Sequence, residues 1–417
     1  MKHFVVTLPL FTKNMAVDSY RLVYRSSTYL FGTERGFMSL DGAMCSPGLE
    51  TLNNTGLDPF TGGKPIFIDV NRYLLLAGVA AACKIPPQKV ICILTKDVPV
   101  EDEYLGRCHE LKTQGFRIAL EGVDHNSEFE PLYRMADYLI IDSNEDNLIT
   151  TLRVLRIQYP ALKALITNIK DKKTFEQIKS VPNALFSGKF YTEPLTEGLT
   201  KVDPIKVNAV NLLKTVSNED FDLGNVSQVI RQDVALSVAL LKFINSPAVG
   251  ITAKVNSIKA AIALLGQTET RKWVTAAVSV YLAQDLPNEI TRLSLIRAKF
   301  AENLAPAFNL GIHAPSLFIM GLFSILDVIL EKPMELAVES VHITDAVKDA
   351  LVRREGEFAP VLNLLYSYEQ ADWREVSCIV IINGLQVESI YQAFEEALMW
   401  YKSIVEYISG SDVKSSF

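Results

Sequence analysis

Six short apolar runs recur at nearly even intervals through the first half of this chain and then stop. They are IFIDV (66–70), VICIL (90–94), FRIAL (116–120), YLIID (138–142), LKALI (162–166) and ALFSG (184–188). Each has the length of one strand, and their β-branched and aromatic content suits strands buried on both faces. The segments between them have helical periodicity. In EDEYLGRCHELKTQG, Leu105, Cys108 and Leu111 share a face, and Gly115 can end the helix. Such repetition demands parallel strands joined by crossover helices. A closed β/α barrel and an open doubly wound sheet both satisfy it.

Beyond Pro204 the period changes. VNAVNLLKTV, VALSVALLKFI, SIKAAIALLG and TETRKWVTAAVSVYL read as helices with apolar faces, and strand-like alternation is nearly absent to the end. Ser257 is placed to cap one of these helices and Gly266 to stop it. Gly198, Asp203 and Pro204 interrupt the pattern, so the boundary is expected within residues 197–206. The resulting division is a β/α domain over 1–200, a helical domain over 201–408 and a polar tail over 409–417.

The 417 residues suffice for two domains with separate cores. Lys plus Arg number 41 against 48 for Asp plus Glu, a formal net charge of −7, so composition lends no support to nucleic-acid binding. Cys45, Cys83, Cys92, Cys108 and Cys378 are odd in number and scattered, with no C-x-x-C pair, which argues against a disulfide framework or a zinc site. The five histidines are equally dispersed. The first residues, MKHFVVTLPLFTKN, lack the apolar stretch of a signal peptide, and the runs Tyr73–Cys83 and Leu317–Leu330 are too short to span a bilayer. A cytoplasmic protein with no membrane segment is expected.

The stretch IRQDVALSVALLKFINSP (Ile230–Pro247), with LIRAKFAEN (Leu295–Asn303) and GLFSILD (Gly321–Asp327), resembles the HDOD module, a helical relative of the HD phosphohydrolases. The resemblance implies that the His-Asp dyad holding metals in that superfamily falls on Ser324-Ile325. Neither residue can supply that ligation. Asp233 reads as a helix cap and Asn245-Ser246-Pro247 as a helix end. Arg297, Lys299 and Glu302 read as solvated charges, and Trp273, Tyr281 and Phe300 as core.

The first half is similar to the EAL domain, the barrel of cyclic di-GMP phosphodiesterases. The matching segments occur in one order: YRLVYR (20–25), GKPIFIDVN (63–71), VICILTKDV (90–98), GFRIALEGVD (115–124), ADYLIIDS (136–143) and LFSGKFYTEPL (185–195). Pairing with HDOD is a recognised bacterial architecture, and the resemblance implies a TIM-like β/α barrel. Active EAL domains bind two divalent metals through several hard oxygen ligands at the strand ends. By the resemblance, the signature glutamate falls on Arg21 and the next-strand asparagine on Asp69. The paired glutamates fall on Ile93 and Lys96, and the paired aspartates on Glu121 and Gly122. Ile140 replaces a lysine while Asp142 remains. Thr167-Asn168-Ile169-Lys170 stands for Glu-Gly-Val-Glu, and Ser187 for a glutamine. Only Asp69, Glu121 and Asp142 survive as vestigial ligands, so neither metal nor cofactor is expected. Arg25, Glu193 and Pro194 match positions near the nucleotide or in the loop after the last strand, and Gly188 matches that strand. The structural alternative places Arg25 and Asp142 in barrel-mouth salt bridges, with Ile93 and Ile140 refilling the pocket.

These readings lead to a non-enzymatic signalling scaffold that works through an unknown protein partner. A receptor that holds cyclic di-GMP weakly without cutting it is the second reading, with Arg25 as its main support. A residual phosphodiesterase built on Asp69, Glu121 and Asp142 is the third.

Overall fold

The computed structural model describes residues 3–26, 47–95, 98–121, 129–145, 148–193, 212–213, 215–216, 221–232, 234–245, 249, 255–282, 288–339, 341 and 343–408. Two compact units result. The first comprises Met1–Glu193 with Ser367–Ser377, and the second comprises Pro194–Tyr366 with Cys378–Phe417.

The first unit is a closed barrel of eight strands in chain order: β1 (His3–Phe11), β2 (Val17–Ser26), β3 (Ile66–Val70), β4 (Val90–Leu94), β5 (Arg117–Glu121), β6 (Tyr138–Asp142), β7 (Lys163–Ile169) and β8 (Leu185–Gly188). Closure chooses the barrel over the open sheet, and all six predicted strands are present, three with the expected ends and three within three residues of them. β2 to β8 pair in parallel, whereas β1 runs antiparallel to both neighbours. Inward-facing Leu10, Phe67, Ile91, Ile93, Ala119, Tyr138, Ile140, Leu165 and Leu185 fill the interior, as side chains must when eight strands close.

β1 and β2 are both absent from the predicted strands, β1 because Pro9 breaks its pattern. Its recorded pairing with β8 is limited to Phe11 opposite Phe186, where few ladder bonds are at stake. A turn closed by Thr12 N to Ala16 O, 2.8 Å, with Met15 at φ 63°, returns the chain into β2. Gly188 is required by close approach: a Cβ there would lie 2.1 Å from Ile169 O.

The second unit is helical. Asn245 ends the helix Val234–Ile244 by bonding Leu241 O and both backbone groups of Val255. Ser257 Oγ accepts from Ala260 N at the start of Ile258–Leu282, and Gly266, at φ 72° and ψ 179°, breaks that helix as its position suggested. Trp273 and Phe300 are buried. Asp233, Ser246, Pro247, the boundary 197–206 and the tail 409–417 lie outside the described residues, as does the Tyr281 side chain. Among the described residues, no helix is long and apolar enough to cross a membrane.

Candidate functional site

Strand alternation brings three charged side chains to one end of the barrel interior. Arg21 is opposite Phe67 on β3, Asp69 follows two residues later on the same face, and Glu121 closes β5. Arg21 Nη1 donates to Glu121 Oε1 at 2.8 Å and Nη2 to Oε2 at 2.9 Å, a two-pronged guanidinium–carboxylate pair. Nη2 also reaches Asp69 Oδ1 at 3.4 Å. The Arg21 side chain is 17% exposed, against 33% for Asp69 and 35% for Glu121. Its Nε is buried without an acceptor among the described residues.

Burial depresses the Arg21 pKa, but the Glu121 bond and the nearby Asp69 charge outweigh it and raise the value above the ordinary one. Burial dominates at Asp69, whose pKa rises although Arg21 opposes the shift. Glu121 adds to the rise. The site therefore contains its own cation, held where two carboxylates converge. Between β3 and β5, the β4 position is the fully buried Ile93.

Asp142 belongs to a separate arrangement. Its Oδ1 accepts from Asn144 N at 2.8 Å and Nδ2 at 2.6 Å, and its Oδ2 from Asn168 Nδ2 at 2.5 Å. These bonds and the Lys170 charge outweigh burial and lower its pKa. The structure thus joins Asp69 and Glu121 through Arg21 and secures Asp142 with amides instead of the expected salt bridge. Among the described residues, no group of three His, Cys, Asp or Glu is placed to hold a metal.

Ser187 Oγ donates to Pro9 O, and Ile140 is core. Glu193 Oε2 accepts from Lys172 N, which helps Asp171 cap the helix Lys172–Ile178, so its position has a local structural use. Arg25 stands on β2 opposite Phe4. Lys96, Gly122 and Pro194 lie outside the described residues. Sequence reasoning placed Arg21 at the position of the signature glutamate and missed its ion pair. The available signal was strand parity, which puts an arginine and two carboxylates on the inner faces of β2, β3 and β5.

The helical unit repeats the motif of a built-in cation. Arg297, read from sequence as solvated, is only 4% exposed. Its Nη1 donates to Ser324 Oγ at 3.0 Å, and its guanidinium lies 4.5 Å from the Tyr366 ring centroid. Arg354 approaches the same ring at 4.3 Å, while Tyr366 Oη donates to Ser324 O at 2.9 Å. Burial raises the Asp327 pKa despite both arginines. Gly321 makes this possible, because a Cβ there would meet Arg297 O at 2.4 Å. The expected dyad position, Ser324-Ile325, is filled by core packing and a buried guanidinium.

Residues 203–341 match the HDOD domain model. The chain is similar along nearly its whole length to two curated proteins. One is the uncharacterized YuxH of Bacillus subtilis, 28% identical over 97% of this chain and 100% of that protein. The other, named the cyclic di-GMP phosphodiesterase CdgJ of Vibrio cholerae, is 26% identical over 96% and 93% respectively. A solved structure of the EAL enzyme Bd1971, with cAMP and cyclic di-GMP bound, overlaps 46% of this chain and 62% of its own at 8% identity, with a TM-score of 0.36. The chain is an eight-stranded barrel followed by a helical region in which residues 203–341 match the HDOD domain model.

Proposed function

We propose that the protein is a non-catalytic regulator in cyclic di-GMP signalling, acting by contact with a protein partner. One observation carries the loss of catalysis: Arg21 binds both carboxylates that remain near the family's metal positions. A divalent ion there would face a guanidinium and would have to displace it. CdgJ is named a phosphodiesterase, and this chain departs from that activity through Arg21. Ile381 and Ile382, 64% and 80% exposed at the end of one helix, supply apolar surface for protein contact. Arg25 leaves room for weak nucleotide binding without hydrolysis.

The purified full chain should not linearise cyclic di-GMP with Mg²⁺ or Mn²⁺. Chelator-sensitive turnover above that of a protein-free blank would overturn the reading. Cross-linking in the native cell should trap a protein partner on the full chain. Recovery of the chain alone would remove the scaffold role.

A further inference from the structure

The first unit contains a segment that its position in the sequence would not assign to a barrel. Ser367–Ser377 belongs to it, yet the residues before and after belong to the second unit. The segment is the corner between the helices Ala359–Glu369 and Trp373–Ile382. Asp372 N bonds Ser367 O at 2.9 Å and Ala371 N bonds Tyr368 O at 3.0 Å, a Schellman-type helix end. Its left-handed position is Ala371, at φ 56°, where glycine would be unstrained.

Strand register shows where this corner sits. β1 and β2 pair along their length, but the recorded pairing of β2 with β3 stops at Arg21. Past that point the two strands form a ribbon, which alone would be marginal. On β2, Arg21, Val23 and Arg25 share one face, and their partners Leu8, Val6 and Phe4 share it on β1. This face continues the barrel interior at the end carrying Asp69 and Glu121. The Phe4 ring is covered by Tyr368, at 5.7 Å between centroids, and by Trp373, at 5.8 Å, and these two pack 5.6 Å apart. Phe4, Tyr368 and Trp373 are 1%, 0% and 7% exposed, and Tyr368 Oη reaches Val5 O at 3.5 Å.

We infer that Ser367–Ser377 is an autoinhibitory strap: its aromatic corner occupies the ribbon face that carries Arg25, and a nucleotide phosphate reaches that face only when the strap lifts. This inference rests on the reading that cyclic di-GMP binds at the barrel mouth without hydrolysis. On this inference, competition with the chain's own aromatic side chains lowers the affinity. Because both ends of the strap continue into the second unit, a change there has a covalent route to the mouth.

The test measures cyclic di-GMP binding and turnover for the intact protein and for Trp373→Ala. The expected result is at least a tenfold tighter dissociation constant in the variant, with no turnover. Tighter binding with turnover would keep the strap and overturn the non-catalytic reading, whereas equal affinity in both proteins would overturn the strap. Hydrogen exchange on the unmodified protein covers the case in which the variant does not fold. Saturating cyclic di-GMP should speed exchange across 367–377, and unchanged or slower exchange would sink the proposal. Ala371→Gly, which relieves the left-handed alanine, should instead slow exchange at Phe4–Val6.

Discussion

Arg21→Ala should destabilise the barrel unit by about 2–4 kcal/mol at pH 7.5, and by clearly less at pH 5. Removing one partner of a buried ion pair costs more than the pair itself contributes, because the remaining charge keeps its desolvation penalty. The lower part of the usual range is appropriate, since Asp69 and Glu121 remain about one-third exposed. The pH dependence follows from Asp69, whose folded-state pKa already lies above its ordinary value. A carboxyl shifted upward by folding contributes stability below its unfolded pKa and loses that contribution as pH rises through the folded pKa. Losing Arg21 raises the folded pKa further, so the deficit is full at pH 7.5 and shrinks as Asp69 takes up a proton. Pulse hydrogen exchange in urea, read on β3 and β5, separates the barrel from the helical unit. Arg21→Met combined with Glu121→Gln should recover more than half of the loss. An equal deficit at both pH values would show that packing, not charge, sets the effect.

Gly321→Ala is expected to cost about 2–4 kcal/mol in the helical unit, near the upper end for overpacking. The new methyl would lie 2.4 Å from Arg297 O, a backbone atom that cannot swing aside. The helix Ala314–Phe323 would have to move off the helix Asn288–Leu304, which would strip Ser324 from the Arg297 guanidinium. Gly311→Ala provides the comparison. A Cβ there meets nothing within 4 Å, so its change should stay within about 0.5 kcal/mol of zero. Urea unfolding read on the helix Asn288–Leu304 would decide the matter, and equal effects of the two substitutions would contradict the close-approach account.

Much of the barrel was legible because its strands are short apolar blocks separated by amphipathic segments, and local periodicity alone marks such blocks. β1 was not, since Pro9 disrupts its pattern and its pairing with β2 across a tight turn holds it in place. The contrast between Arg297 and Lys299 is similar. Both lie on one helix with similar spacing to neighbouring charges, yet only Arg297 is buried, because Gly321 lets a second helix close over it. No feature within LIRAKFAEN distinguishes the two.

The sequence by itself determined the order of a β/α half and a helical half, the apolar character of positions 93 and 140, and the presence of arginine at position 21. Those properties depend on residue type and local period. Tertiary structure alone decided that Arg21 pairs with Glu121 across 100 positions of chain, that Asp142 stands apart on amides, and that Ser367–Ser377 joins the barrel. Each of these depends on barrel closure or on which face a distant segment covers. Such juxtapositions are set by the burial of side chains from remote parts of the chain, which no local pattern encodes.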